Sequence, residues 1–250
     1  MAIDTDKNSY TVIFAAIMVV VVGSILAFLA SSLNDRIKEN ERFEKQQNIL
    51  YAMGVDENED EGSVNFIPTD KVEAEFKKYI KEQLVIQGDK ITTDDQAYLI
   101  DLKKQETLAK SGEQRKLPVF IGERDGVKSY IIPMRGKGLW DAIWGFVALG
   151  EDLKVQGVFF DHKGETPGLG ANIKQRYFMD DFVGESILSG NSFVGIAVAK
   201  GNNDPINEIK DDNEVDALAG ATITGDGVSA MIKQSIALYK DYLETIRAKN

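Results

Sequence analysis

Two threonines near the C-terminus stand where they could hold a phosphate group. The segment AGATITGDGV, Ala219 to Val228, places Thr222 and Thr224 among small residues just ahead of a long helical pattern. The first amides of a helix have no partner within it, and the helix dipole is positive at that end, so an anion is stabilised there. Alternatively, Thr222, Thr224 or Asp226 could only cap the helix. Capping accounts for one threonine but not for two.

Two other glycine-rich segments have the composition of ligand-binding loops. They are RGKGLWD, Arg135 to Asp141, and DHKGETPGLG, Asp161 to Gly170. Glycine permits a left-handed backbone and close approach to a ligand, although each segment alone is as easily a structural turn. Leu139 and Trp140 could lie against a planar ring or pack beneath a loop. Neither segment is a Walker motif or a GxGxxG opening a βαβ unit.

The composition excludes several functions. The chain has 250 residues and a formal charge of −11, which argues against nucleic-acid binding because that requires clustered basic residues. It has no cysteine and one histidine, His162. Disulfides, thiolate-held iron–sulfur clusters, c-type haem and thiolate zinc sites are therefore excluded, and we expect no metal site. A redox role would need an organic cofactor. His162 could act as a base, but no nucleophile can be assigned to it.

The N-terminal region has the length and composition of a membrane anchor. No charged residue occurs from Asn8 to Asn34, and the apolar core Thr11 to Ala30 has 20 residues. At 1.5 Å per residue this core spans about 30 Å, the thickness of the hydrocarbon layer of a bilayer. A cleaved signal peptide would have a shorter apolar region and a basic start, whereas this leader holds Asp4 and Asp6. We therefore expect a retained transmembrane helix, whose orientation the nearly balanced flanking charges do not decide.

Patterns in the first half of the remaining chain predict helices. We expect a helix from Asn34 to Met53 that ends at Gly54, followed by a solvated acidic loop from Asp56 to Gly62. A second helix should begin at Thr69 or Asp70, with Asp70 and Glu73 as a capping box. Its apolar residues recur every four positions: Val72, Phe76, Ile80 and Leu84. The segment from Asp94 to Lys110 is ambiguous.

The pattern changes period after Pro118. Two apolar runs around Asp125–Gly126 predict a hairpin, and AIWGFVALGE with LKVQGVFFD predicts a second strand pair. We expect a helix from Asn172 to Gly184, a strand in SFVGIAVAKG, a polar loop from Asn202 to Asn213, and a final helix from about Gly227 to Arg247. Strands and helices occur in blocks, so the expected fold is α+β: one N-terminal transmembrane helix, then a soluble domain with an antiparallel or mixed sheet and flanking helices.

The order of the three glycine-rich segments behind one anchor resembles a known family. RGKGLW, HKGETPGLG and GAT-x-T before the last helix are similar to the FMN-binding domain of membrane respiratory complexes. The chain is identified as a member of the C subunits of sodium-translocating NADH:quinone oxidoreductases, with the G subunits of Rnf electron-transport complexes as the nearest alternative. The resemblance covers the anchor and roughly residues 118–250. We expect three regions: 1–34, tail and anchor; 35–116, membrane-proximal and helical; 117–250, FMN-binding domain.

The resemblance implies which residues hold the cofactor. In the family, FMN is joined through its phosphate to the last threonine of the motif, here Thr224, by a flavin transferase that uses FAD. Ala219 stands where relatives usually have Ser or Asp. No residue is expected to be catalytic, and His162 and Glu165 belong to the motif without an assigned role. The implied cofactor-binding set is Leu139, Trp140, Thr166, Gly168 and Leu169 at the flavin ring, Gly220, Ala221 and Thr222 at the phosphate, and the lower-ranked His162 and Glu165.

The resemblance also implies a function. The chain would be a flavoprotein electron carrier, anchored in the bacterial inner membrane with its domain on the periplasmic side. Its expected partners are the other subunits of the complex, the flavin transferase and membrane lipid. It would relay electrons between NADH and quinone in an enzyme that pumps sodium, and would catalyse nothing alone. The alternatives are the Rnf-type subunit and an anchored binding or scaffold domain without flavin.

Overall fold

An apolar helix begins the part of the chain that the structure describes. The computed structural model describes residues 7–59, 62, 64–201, 204 and 207–248. Helix α1, Asn8–Ala52, is long and apolar enough to cross a membrane, as the sequence predicts. The chain divides into two compact units, Met1–Arg42 and Phe43–Asn250. In the first unit the apolar side chains of α1 are exposed, which is the pattern of a helix whose surroundings are lipid.

The end of α1 belongs to the second unit and is fixed by a glycine. Ile49 and Leu50 are fully buried there. Gly54 has a φ of +75°, and the amides of Gly54 and Val55 donate to the carbonyls of Tyr51 and Leu50. This left-handed residue after the last turn is a common helix ending, so the predicted stop at Gly54 is confirmed.

The second unit is built on one six-stranded antiparallel sheet. Its strand order is β2-β1-β3-β4-β5-β6. The strands are β1 Ile80–Gln87, β2 Lys90–Thr93, β3 Leu117–Arg124, β4 Val127–Lys137, β5 Ala142–Leu149 and β6 Val155–His162. The helices beside it are α2 Val72–Tyr79, α3 Leu102–Lys110, α4 Arg176–Asp180 and α5 Thr222–Arg247, with 3₁₀ turns at Ala97–Leu99 and Gly170–Lys174. The short strands are β7 Leu188–Ser189, β8 Ser192–Phe193, β9 Ala197–Val198 and β10 Glu214–Val215. The α+β expectation is confirmed.

The two predicted strand pairs are present. Asp125 and Gly126 have φ values of 53° and 80°, and they join β3 to β4. Two consecutive positive φ values match the turn whose twist suits a two-residue hairpin, which is why Asp-Gly predicted it. Strands β5 and β6 pair in turn. Helix α5 then packs along β4 with an apolar stripe that includes Val228, Ile232 and Ile236.

The second predicted helix is shorter than expected, and its predicted cap is wrong. Helix α2 ends at Tyr79, and Ile80 and Leu84 lie in β1, which pairs with β2 and β3. The four-residue recurrence therefore crosses from a helix into a strand, because pairing along β3 outweighs the local helical pattern. The N-cap is Lys71, whose side chain makes no capping bond. The amides of Lys71 and Val72 instead donate to the carbonyl of Pro68.

Two expectations in the second half also change. The predicted strand SFVGIAVAKG is divided into β8 and β9. Gly195 interrupts it with a φ of +79°, and a Cβ there would lie 3.1 Å from the backbone of Lys233 in α5. The predicted helix from Asn172 to Gly184 is reduced to a 3₁₀ turn and the five-residue α4. Parts of the predicted acidic and polar loops, residues 60, 61, 202, 203, 205 and 206, lie outside the described residues.

A cluster of three phenylalanines holds the segment that follows β6. Phe160 in β6, Phe178 in α4 and Phe182 just after α4 are mutually in contact, with ring centroids 5.1 to 6.0 Å apart. All three are almost completely buried. The loop from Lys163 to Leu169 follows β6, which carries Phe160, and precedes the segment that carries Phe178 and Phe182. Its ends are therefore fixed by packing, which positions the residues it carries.

One carboxyl beside this cluster should make stability depend on pH. Burial raises the pKa of Asp181 to about 6, helped by Asp216, Asp180 and Asp204 and opposed by Lys210. An acid whose pKa is raised by folding destabilises the native state at high pH, and this cost disappears as pH falls below the unfolded value near 4. We expect Asp181→Asn to stabilise the domain by about 1 kcal/mol at pH 8, after allowance for solvent screening, and by almost nothing at pH 4.

Urea unfolding of Asp181→Asn and the parent at both pH values measures this effect. Asp241→Asn, at an exposed position of α5, serves as the matched loss of one charge. A gain for Asp181→Asn that is the same at pH 4 and pH 8 would show that the carboxylate is not destabilised by its surroundings.

Candidate functional site

The three glycine-rich segments meet where α5 begins. Helix α5 starts at Thr222, five residues before the predicted position, and its first turns lie directly on the end of β4. A Cβ at Gly227 would clash with the carbonyl oxygen of Lys137, and one at Gly136 would lie 2.7 Å from Cβ of Met231. Glycine at both positions therefore allows backbone-level contact. This contact brings Thr224 beside the loop between β4 and β5 and the loop after β6.

Glu165 connects the three segments. Its Oε2 accepts a hydrogen bond of 2.6 Å from the Thr224 hydroxyl, and its Oε1 accepts from the backbone amides of Trp140 at 2.9 Å and Asp141 at 3.5 Å. Only 4% of the Glu165 surface and 1% of the Thr224 surface are exposed. Glu165 and Thr224 are 59 residues apart in the sequence. The carboxylate is thus the centre of the site.

The hydrogen bonds keep Glu165 ionised. Burial by itself would raise the pKa of Glu165, but donors at the Thr224 hydroxyl and at the amides of Trp140, Asp141 and Leu139 outweigh burial and hold its pKa below the ordinary value. A carboxyl with a lowered folded pKa stabilises the fold above its unfolded pKa, and this contribution is lost as pH falls through the folded value. At neutral pH the group is an anion that can only accept hydrogen bonds.

A second set of contacts orients the same two loops. The amide of Glu165 donates to Nδ1 of His162 at 3.1 Å, and Nε1 of Trp140 donates to the Thr166 hydroxyl at 3.1 Å. His162 is therefore used as an acceptor at Nδ1, which places its proton on Nε2 in the neutral ring. Lys163 and Asp141 form an exposed ion pair at 2.9 Å between the same loops.

Two tight turns carry the predicted glycines. Gly168 has a φ of +76° in the turn from Thr166 to Leu169, where the Leu169 amide donates to the Thr166 carbonyl at 3.1 Å. Gly220 has a φ of +68° in the turn that leads into α5, and a Cβ there would lie 2.8 Å from Cδ2 of Leu169. Both positions need a left-handed backbone, and Gly220 also needs the space.

Apolar side chains at this place face outward. Trp140 is 67% exposed, Leu139 and Leu169 are exposed as well, and Ile223 is 58% exposed. Large exposed apolar residues clustered at one site commonly mark a binding surface. Thr166 and Thr222 are exposed and polar, whereas Ala221, the residue before α5, is buried. All of the residues singled out in the sequence therefore lie in the three converging segments, and their roles stay predictions.

The start of α5 is open to an anion, although the predicted caps are wrong. The N-cap is Ala221, which has no side-chain capping bond, and Thr222 and Thr224 lie inside the first turn. The first helical bond runs from the Gly225 amide to the Ala221 carbonyl, so the amides of residues 222–224 precede it. Thr224 does not cap the helix because it is the third residue of α5, where its hydroxyl donates to Glu165. Asp226 lies further along α5 and is paired with Lys200 at 3.9 Å.

Sequence reasoning missed four residues of the site. Gly138 and Gly170 lie against the carboxylate: a Cβ at 138 would be 2.6 Å from Oε1 of Glu165, and one at 170 would be 2.6 Å from Oε2 and in collision with the Thr224 hydroxyl. Ile223 and Gly227 complete the start of α5. Their signal was present, because all four lie in or beside the glycine-rich segments, but only the folded chain shows what each glycine approaches.

Comparisons with known proteins identify this arrangement. Residues 138–237 match the family described as the FMN-binding domain, a range that contains Glu165, Thr224 and Trp140. The chain is 30% identical over 244 residues to the C subunit of the Na(+)-translocating NADH-quinone reductase of Vibrio anguillarum, covering 91% of this chain and 90% of that protein. It is 29% identical to the same subunit of Pseudomonas aeruginosa, with 91% and 90% covered.

A solved structure agrees with the sequence comparison. The crystal structure of the C subunit of the Na(+)-translocating NADH-quinone reductase from Parabacteroides distasonis matches this fold with a TM-score of 0.69 and 31% identity. The match covers 84% of this chain and 96% of that one. The similarity extends over almost the whole of both chains and includes the segments that build the site, and we conclude that this chain belongs to the family of Na(+)-translocating NADH-quinone reductase C subunits.

Proposed function

We propose that this chain is a membrane-anchored flavoprotein that carries FMN on Thr224 and relays electrons within a sodium-translocating NADH:quinone reductase. The observation that carries the proposal is the convergence of three segments on one hydroxyl, inside a domain whose family binds FMN. The chain would act as one subunit of the enzyme, with other subunits, a flavin transferase and membrane lipid as partners. It would lie in the bacterial inner membrane with Phe43–Asn250 on the periplasmic side.

Two groups of residues fit the two ends of FMN, its ring and its phosphate. The exposed Leu139, Trp140 and Leu169 provide an apolar surface for a planar ring, with the Trp140 ring held by its bond to Thr166. The amides at the start of α5 and the Thr224 hydroxyl suit a phosphate. When bound, FMN would supply the one- and two-electron chemistry that the protein side chains lack.

The protein's own contribution would be to hold the FMN and to set its redox potential. A phosphoester at Thr224 would keep the cofactor from dissociating, and the apolar surface would set its potential through burial and contact. Because Thr224 is 1% exposed, attachment requires the groups packed around its hydroxyl to move aside. No acid–base chemistry on a substrate is needed for electron relay.

The experiment is expression of the full chain with and without a flavin transferase, followed by denaturing electrophoresis under ultraviolet light. We expect a fluorescent band only with the transferase, because the bond to Thr224 survives denaturation. A dark band in both cases, with a transferase that modifies a known substrate, would favour the binding or scaffold alternative. Co-purification of the chain with subunits of an Rnf complex would instead favour the Rnf-type subunit.

Loss of the Trp140 ring should change the properties of the bound flavin. A contact that differs by about 1 kcal/mol between the oxidised and reduced forms corresponds to roughly 20 mV for a two-electron couple. We expect Trp140→Ala to move the midpoint potential by at least that amount and to alter the visible spectrum. Tyr177→Ala, which removes another exposed ring from α4, is the control. An unchanged potential and spectrum in Trp140→Ala would remove this residue from the flavin surface.

A further inference from the structure

The Thr224 hydroxyl is poised for loss of its proton. Its hydrogen points at Oε2 of Glu165 over 2.6 Å, a short bond of the kind made by an ionised acceptor. The proton is thus directed into the protein. The oxygen lone pairs are left for bond formation on another side. A threonine hydroxyl is a weak nucleophile until an adjacent base takes its proton.

The carboxylate is held in place independently of Thr224. Its second oxygen accepts from two backbone amides, and the backbone of Glu165 is tied to His162. Gly138 and Gly170 stand where any side chain would push the carboxylate away or separate it from the hydroxyl. Glu165 therefore remains oriented when the threonine oxygen changes its bonding. This preorganisation is what a base needs.

We propose that Glu165 is the general base that activates Thr224 for its own flavinylation, a role that rests on the proposed attachment of FMN at this residue. The Thr224 Oγ1–H proton passes to Oε2 of Glu165 as Oγ1 forms a bond to the FMN-side phosphorus of FAD. The bond from that phosphorus to the bridging oxygen breaks, and AMP leaves with the bridging oxygen. The proton then passes from Glu165 to solvent. The products are the phosphoester, AMP and one proton, and no atom changes oxidation state.

A merely structural role for Glu165 makes different predictions. If the carboxylate only ties the loops together, its loss should loosen the site, weaken docking of the transferase and raise the KM for this chain as a substrate. A base acts on the chemical step, so its loss should lower kcat with little change in KM. General bases typically contribute 10²- to 10⁴-fold to the rate, as measured by their removal.

The test uses the purified full-length chain without flavin, FAD and a flavin transferase, with covalent FMN followed by fluorescence and intact mass. We expect Glu165→Gln to lower kcat for attachment by about 100-fold or more at nearly constant KM. Glu165→Asp keeps the carboxylate on a shorter side chain, and its kcat should lie between those of the parent and Glu165→Gln. Glu185→Gln is the matched control, because Glu185 is also a buried carboxylate but pairs with Asn207 and has no contact with Thr224 among the described hydrogen bonds. It should be modified at the parent rate.

A second variant tests the contact between Thr224 and Glu165 without removing the charge of Glu165. Gly170→Ala places a methyl group against both the Thr224 hydroxyl and Oε2 of Glu165, so it should slow attachment even if Glu165→Gln fails to fold. Parent-like kcat in any folded Glu165→Gln or Gly170→Ala protein would overturn the proposal. A rise in KM alone would do the same and leave a docking role. Absence of FMN on Thr224 in the parent chain would instead show that the proposed function, and not only the base, is wrong.

Discussion

Thr224→Ala should fold and should carry no covalent flavin. The variant removes the only oxygen through which the proposed phosphoester can form at this position, so the loss should be complete and not partial. It also removes one of the donors to Glu165, and a hydrogen bond to a buried charge contributes about 1.5–3 kcal/mol. We expect the lower end of that range, because Glu165 keeps its backbone amide donors. In-gel fluorescence after co-expression with the transferase measures the first effect, and thermal unfolding measures the second.

Two variants serve as controls for this result. Thr224→Ser retains a hydroxyl beside Glu165 and should still be modified. Thr245→Ala removes an exposed threonine near the other end of α5, where its hydroxyl donates to the carbonyl of Tyr242. It should be modified like the parent. Covalent flavin in Thr224→Ala would move the attachment point elsewhere, and Thr222 is the first residue to examine.

Gly227→Ala should both destabilise the domain and reduce flavin attachment. In an exposed helix, replacing glycine with alanine gains about 1 kcal/mol. Here the new Cβ would collide with the carbonyl oxygen of Lys137 and approach the backbone of Gly138. Overpacking against backbone costs on the order of 1–3 kcal/mol, so after subtracting the helix gain we expect a net loss of about 1 kcal/mol. The start of α5 would be pushed away from β4, and Thr224 would move away from Glu165.

Urea unfolding and the flavinylation yield of the same preparation measure both effects. Gly201→Ala is the control, because a Cβ at that position meets nothing within 4 Å and its φ is not left-handed. It should be close to neutral in both measurements. A Gly227→Ala protein that is more stable than the parent, as helix propensity alone predicts, would show that α5 does not depend on close contact with β4.

Local patterns in the sequence were sufficient for several elements. The uncharged run of α1, the Asp125–Gly126 turn and the apolar stripe of α5 each have a physical cause within a few neighbouring residues. The segments that form the site could also be identified, because glycine at Gly168 and Gly220 meets a local need for a left-handed backbone. A glycine that serves a local turn can be recognised from the sequence alone.

Contacts between distant segments decided what the sequence could not. The strand at Ile80 and Leu84 exists because β3 is available to pair with it, and nothing within α2 signals that. Likewise, the final helix was expected to start at about Gly227, whereas α5 starts at Thr222 and packs closely on the end of β4 at Gly227. This error made Thr224 a candidate cap when it is in fact the donor to Glu165.

Glu165 shows the same limit at the site. In the sequence it is one acidic residue of a glycine-rich loop, with a motif position and no role. Its importance depends on a partner 59 residues away and on amides supplied by the loop between β4 and β5. Only the fold shows that this carboxylate is buried, ionised and aligned with one hydroxyl.

Peptide mass mapping of the flavinylated chain tests the central claim most directly. The full-length protein would be produced with a flavin transferase, digested without reduction of the flavin, and its fluorescent peptide fragmented. We predict a single modified peptide that spans the start of α5, with the mass of FMN minus water on Thr224. An unmodified Thr224 in protein that carries covalent flavin at another residue, or a chain that remains unmodified beside an active transferase, would contradict the account.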